Sequence, residues 1–85
     1  MVSFTYVITD EVGIHARPAS MLVKEAQSYQ DQITITNKGK SADAKRLMSL
    51  LTLGAKCGEE IQVDVSGETE ADTAEKLESY LKNNL

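Results

Sequence analysis

The sequence predicts an α+β domain with the element order βαββαβα, and three features carry that prediction. Alternating apolar positions mark strands, as in Phe4, Tyr6 and Ile8 or Ile61, Val63 and Val65. Helical spacing marks Ala19, Leu22, Val23 and Ala26, which follow i, i+3, i+4, i+7. Length supplies the third: 85 residues, 41% of them hydrophobic, form a single domain over residues 1–85, with no linker, repeat or low-complexity tract inside it.

Taken in order, the first strand centres on Phe4, Tyr6 and Ile8, which alternate with Ser3, Thr5 and Thr9 and are interrupted only by Val7. A turn around His15 follows, and Pro18 suits the first helical turn, where its missing N–H costs nothing. Ile33 and Ile35 alternate with threonines, and Asn37-Lys38-Gly39 turns the chain into a short strand over Lys40 to Asp43. Leu47, Leu50 and Leu51 mark a second, shorter helix ended by Gly54. A third alternating run follows Gly58, and the final helix opens near Thr69 with Ala74, Leu77 and Leu81 on one side. Polar residues dominate one face of the strands, so one side of the sheet is expected to be wet and the other covered by helices. The pattern also fits a ferredoxin-like split βαβ with an added helix.

Composition excludes several functions. A net charge of −4 argues against a general nucleic-acid binder, and one Phe with three Tyr cannot build the aromatic platform of an RNA-binding sheet. The charge is unevenly spread: residues 15–50 carry six basic and three acidic side chains, the remainder three basic and ten acidic. No basic leader precedes an apolar stretch and no run reaches membrane-spanning length, so a cytoplasmic protein without direct membrane insertion is expected. Cys57 is single, which removes any internal disulfide and is expected to leave a semi-buried thiol. One histidine cannot build a typical transition-metal site, and no nucleotide-binding loop is present, so neither a metal nor a cofactor is expected.

The only histidine lies in Gly13-Ile14-His15-Ala16-Arg17-Pro18, where a turn gives way to an amphipathic helix. A histidine at a helix N-terminus faces unpaired N–H groups and the positive end of the dipole, which together favour an anion. Arg17 adds a fixed charge and offers planar donors to phosphate oxygens, so His15 reads as a nucleophilic phosphate carrier. By itself a lone histidine before a helix is more often a capping or surface residue.

The run resembles the active-centre signature of the HPr family, the histidine-containing phosphocarriers of the bacterial phosphoenolpyruvate:sugar phosphotransferase system. The similarity continues through Lys38-Gly39-Lys40-Ser41-Ala42-Asp43-Ala44-Lys45, Leu47-Met48, Leu51-Thr52-Leu53-Gly54 and Ser66-Gly67-Glu68, and so covers essentially the whole chain. It implies the open-faced β-sandwich, a four-stranded antiparallel sheet with three helices on one face. It further implies that His15 accepts a phosphoryl group on Nδ1 from phosphorylated enzyme I, with Arg17 assisting, and passes it to enzyme IIA domains of sugar permeases. The protein is then a relay, expected to be a monomer, more than an autonomous catalyst.

The docking face implied by the resemblance takes Ala16, Ser20, Lys24 and Gln27 from the first helix and Leu47, Met48 and Leu51 from the second. Spacing alone reads a Leu/Met stripe as core. Where Gram-positive members place a regulatory serine at the start of the second helix, this chain has Arg46. A non-transferring regulatory paralogue that binds a transcription factor or metabolic enzyme is the alternative reading, and retention of both His15 and Arg17 weighs against it.

Overall fold

Each strand of this protein turns its less exposed row of side chains toward the helices, and pairing in register brings those rows onto one face of the sheet. The computed structural model describes residues 1–85. Its elements are β1 (Val2–Val7), α1 (Ala16–Gln27), β2 (Gln32–Asn37), β3 (Lys40–Asp43), α2 (Leu47–Leu53), β4 (Glu60–Ser66) and α3 (Glu70–Asn84). The four strands form one antiparallel sheet in the order β1-β4-β2-β3. Phe4 lies opposite Val63, and Val63 opposite Ile35, so the apolar rows of three strands coincide on the helix-covered face.

The β2–β3 hairpin has a two-residue loop, with Asn37 paired to Lys40. Lys38 and Gly39 both take positive φ, 51° and 82°, the conformation whose twist matches that of the flanking strands. Glycine accepts this freely at the second position.

The three helices cover one face. Leu22, Leu50, Leu77 and Leu81 are fully inaccessible, and burying a side chain of that size is worth about 1.5–3 kcal/mol. The opposite face carries no helix. There Ser3 donates to Asp64 Oδ1 at 2.6 Å and Gln62 at 2.9 Å, while Thr36 and Ser41 hydroxyls lie 3.0 Å apart. These two donors, Gln62 first, hold the Asp64 carboxyl below its ordinary range.

The start of α3 is closed by a residue far away in sequence. Asp31, 3% exposed, accepts from the Thr69 N–H at 3.2 Å, the Thr69 hydroxyl at 2.6 Å and the Thr73 hydroxyl at 2.5 Å. A carboxylate at a helix N-terminus also meets the positive end of the dipole. The helix is fastened at its other end too, since Leu85 O receives the N–H groups of Thr9 at 2.6 Å and Asp10 at 2.8 Å.

One expectation fails. Cys57 is exposed, not semi-buried, because it sits at the turn before Gly58 with only a weak contact of 3.7 Å from its Sγ to Thr9 O. Leu47 is 37% and Met48 72% exposed, so the stripe that spacing alone reads as core lies partly at the surface.

Hydrogen bonds from the Thr69 and Thr73 side chains depress the Asp31 pKa below its ordinary 3.8. The ionised carboxylate therefore favours folding above that value, and its contribution is lost as pH falls through the lower folded-state value. Asp31→Asn is expected to lower the melting temperature at neutral pH and to flatten the dependence of stability on pH in acid. Thermal melts of both chains from neutral to strongly acidic pH check this; parallel curves would contradict it.

Candidate functional site

His15 is the N-cap of α1, in an extended conformation (φ −127°, ψ −169°), with an exposed ring that makes no capping bond. Its carbonyl receives the Ala19 N–H at 2.8 Å. Pro18 has no N–H, so the N–H groups of Ala16 and Arg17 are the unpaired donors of the first turn. No acidic residue occupies that turn. The helix thus begins with two open N–H donors, the positive end of its dipole and an imidazole at its edge, an arrangement that favours an anion.

The turn before His15 is fixed from below. Gly13 takes φ 79°, and a Cβ there would stand 2.5 Å from Ala55 O and 2.8 Å from Lys56 Cα. Only glycine allows that approach. It brings the Ile14 N–H within 2.9 Å of Ala55 O and seats the Ile14 side chain in the core, 5% exposed. Asp10 Oδ1 accepts the Val12 N–H at 2.9 Å and tightens the entry to the turn.

Arg17 lies in the first turn but its side chain leans away from the core toward α3. It lines a depression of about 190 Å³ with Asp10, Pro18, Met21, Tyr80 and Leu85. It forms no ion pair, even with Asp10 nearby; the four ion pairs of the protein involve the Met1 amine, Lys38, Arg46 and Lys76. The guanidinium is therefore free to meet an incoming anion. His15 and Arg17 share the helix start, although the depression is walled by Arg17 alone of the two.

The remaining predicted residues fall on two adjoining helices. Ala16, Ser20, Lys24 and Gln27 run down α1 beside its buried stripe of Ala19, Leu22, Val23 and Ala26; Ser20 is half-buried and the other three exposed. Gln27 donates to Lys45 O at 3.0 Å and Lys45 Nζ to Tyr29 O at 2.7 Å, which ties the end of α1 to the loop entering α2. On α2, Leu50 and Leu53 face the core, Met48 is 72% exposed and Leu51 is half-buried. Two further exposed apolar residues, Val12 and Met21, flank His15 along the chain and were missed by the sequence reading. Met21 lies off the buried stripe and one turn beyond Arg17, a signal present in the helical periodicity. Val12, in a loop, gave none.

No group of three or more His, Cys, Asp or Glu converges as a metal site requires. No helix is long and apolar enough to cross a membrane.

A family model described as the PTS HPr component phosphorylation site matches residues 2–83. The chain belongs to the HPr family. It is 42% identical over 74 residues to the phosphocarrier protein HPr of Mycoplasma capricolum, covering 87% of this chain and 82% of that protein. The crystal structure of HPr-C-His from Thermoanaerobacter tengcongensis superposes with a TM-score of 0.92 at 27% identity, covering 99% of this chain and 94% of that one. A Mycoplasma histidine-containing phosphocarrier protein gives 0.86 at 35% identity, covering 92% and 89%. The fold is accordingly the open-faced sandwich of HPr, and the ferredoxin-like alternative is set aside. Membership makes the chain a phosphocarrier-family component of the phosphotransferase system with bacterial relatives.

Two substitutions test the local construction. Gly13→Ala forces a side chain into the left-handed region and against Ala55, and is expected to cost more than about 1 kcal/mol in urea unfolding. Arg46 is the N-cap of α2 in extended conformation and supplies no capping bond, only an exposed pair to Asp43 at 3.8 Å. Arg46→Ser offers an acceptor to the first turn and is expected to stabilise the domain by about 0.5–1 kcal/mol. A lower urea midpoint for Arg46→Ser would show that the pair to Asp43 outweighs a cap.

Proposed function

We propose that His15 accepts a phosphoryl group from phosphorylated enzyme I and donates it to enzyme IIA domains during sugar uptake. One observation carries this reading: an exposed imidazole at the N-cap of a helix whose Ala16 and Arg17 N–H groups are unpaired. The neutral imidazole attacks phosphorus through Nδ1 as the bond to the donor's leaving group breaks. The two N–H groups and the Arg17 guanidinium take up the equatorial oxygens, whose charge is greatest in the transition state. Donation to enzyme IIA runs the same steps in reverse. The site is open, so each partner supplies the walls that exclude water.

Both partners meet the face built from Ala16, Ser20, Lys24 and Gln27 on α1 and Leu47, Met48 and Leu51 on α2. Exposed Met48 supplies the apolar centre, and Lys24 and Arg46 set a basic rim. In this reading the protein works as a cytoplasmic monomer without cofactor, nucleic acid or membrane insertion, and as a relay between enzymes.

Incubation with phosphoenolpyruvate and enzyme I is expected to give an acid-labile, base-stable adduct of one phosphate. A regulatory paralogue that binds without transferring gives none. His15→Ala is expected to abolish the adduct while leaving the melting temperature nearly unchanged, because the side chain is exposed and unbonded. Arg17→Ala is expected to keep the acceptor but slow transfer in both directions. Labelling of His15→Ala at the wild-type rate would end the assignment.

Met48→Glu is expected to weaken binding of enzyme I and enzyme IIA together, with little change in unfolding midpoint. A large loss of stability with intact binding would return Met48 to the core.

A further inference from the structure

We propose that the depression between the β2–β3 hairpin, the end of α2 and the loop entering β4 binds a small organic phosphate carrying free hydroxyl groups. This hollow of about 270 Å³ is separate from the Arg17 depression and is walled by Asn37, Lys38, Lys40, Thr52, Lys56 and Glu59 among others. Its walls have opposite characters, and that sets the ligand class.

One wall is cationic. Three lysines face a single carboxylate, and that carboxylate is already engaged: Glu59 pairs with Lys38, accepts the Lys56 N–H at 2.9 Å and receives Asn37 Nδ2 at 3.4 Å. These contacts, the Lys38 bond first, hold its pKa down to about 2, so it stays ionised and consumes the charge of Lys38 only. The ammonium groups of Lys40 and Lys56 form no ion pair in the protein. A doubly charged phosphate matches this excess.

The other wall accepts hydrogen bonds. Asn37 is 3% exposed and gives its Nδ2 to Leu53 O at 3.2 Å, while its Oδ1 is the one buried side-chain polar atom of the protein with no partner. An acceptor left without a donor costs free energy, and a ligand hydroxyl recovers it once the Asn37 side chain, which lines the hollow, turns its Oδ1 outward. The carbonyl end of α2 lies on the same side, closing at Gly54. Its partial negative charge repels an anion and welcomes an O–H. A phosphate seated by Lys40 and Lys56 with hydroxyls turned toward Asn37 satisfies both walls, whereas bare phosphate or a neutral polyol satisfies one.

The test uses the full chain, isotopically labelled, at low ionic strength, titrated separately with glycerol 3-phosphate, n-propyl phosphate, inorganic phosphate and glycerol and followed by amide chemical shifts. Saturable shifts are expected with glycerol 3-phosphate, centred on residues 37–40 and 52–59. Removing the hydroxyls, as in n-propyl phosphate, is expected to weaken binding about tenfold, the worth of one well-made hydrogen bond. Glycerol alone is expected not to saturate, and Lys40→Gln with Lys56→Gln to abolish binding without altering the melt. Equal affinity for n-propyl phosphate would overturn the role given to Asn37. Non-saturating shifts spread over all lysines would overturn the site, and shifts centred on Ala16 and Arg17 would move the anion to the start of α1.

Discussion

The N–H of Ile14 reaches Ala55 O at 2.9 Å, and the candidate site depends on that approach. The bond requires residue 13 to lack a side chain, since a Cβ would meet the Ala55 carbonyl at 2.5 Å. The loop that receives it is itself held by the sheet: Gly58 donates to Ile8 O at 2.8 Å and Ile8 to Glu59 O at 3.0 Å, continuing the β1–β4 ladder. The turn that presents His15 is thus an extension of the sheet and not a free loop. Positioning of the imidazole is provided before any partner arrives, which lowers the ordering cost of binding.

The two long helices treat their N-termini in opposite ways. At α3, Glu70 and Asp72 occupy the first turn and Asp31 binds Thr69 and Thr73, so its positive end is satisfied by three carboxylates. At α1 there is no acid in the first turn and no capping side chain. A capping residue in place of His15 would be worth about 1 kcal/mol to the fold. The chain forgoes that stabilisation at the start of α1, where we propose that a phosphoryl group is received.

Element types and most boundaries were legible because each strand is wet on one side and each helix has a buried stripe. The run Ile33, Ile35 and the pair of residues at the hairpin tip show this plainly: period two and a Gly at the turn leave little alternative. Sheet order was not legible from periodicity, since the apolar rows of β1, β2 and β4 are interchangeable until their registers are known; the family resemblance implied four antiparallel strands but not their order. The Asp31 contacts were invisible for a different reason. An aspartate between a helix and a strand reads as loop, and its partners lie 38 and 42 residues away. Cys57 misled because cysteine is usually buried, whereas this one falls on a turn. At the site, the motif around His15 was read directly, but the dependence of Gly13 on Ala55 required the fold to bring two distant loops together.

The helix-free face of the sheet remains. Its side chains bond to one another, as Ser3 and Gln62 do to Asp64, and none of them reaches His15, α1 or α2. In the proposed relay the sheet therefore lies between this surface and the phosphoryl group. On that reading such a surface can drift in sequence without penalty to the relay, and it is where a fluorophore, an affinity handle or a tether to a solid support can be attached while the opposite side stays open to partners.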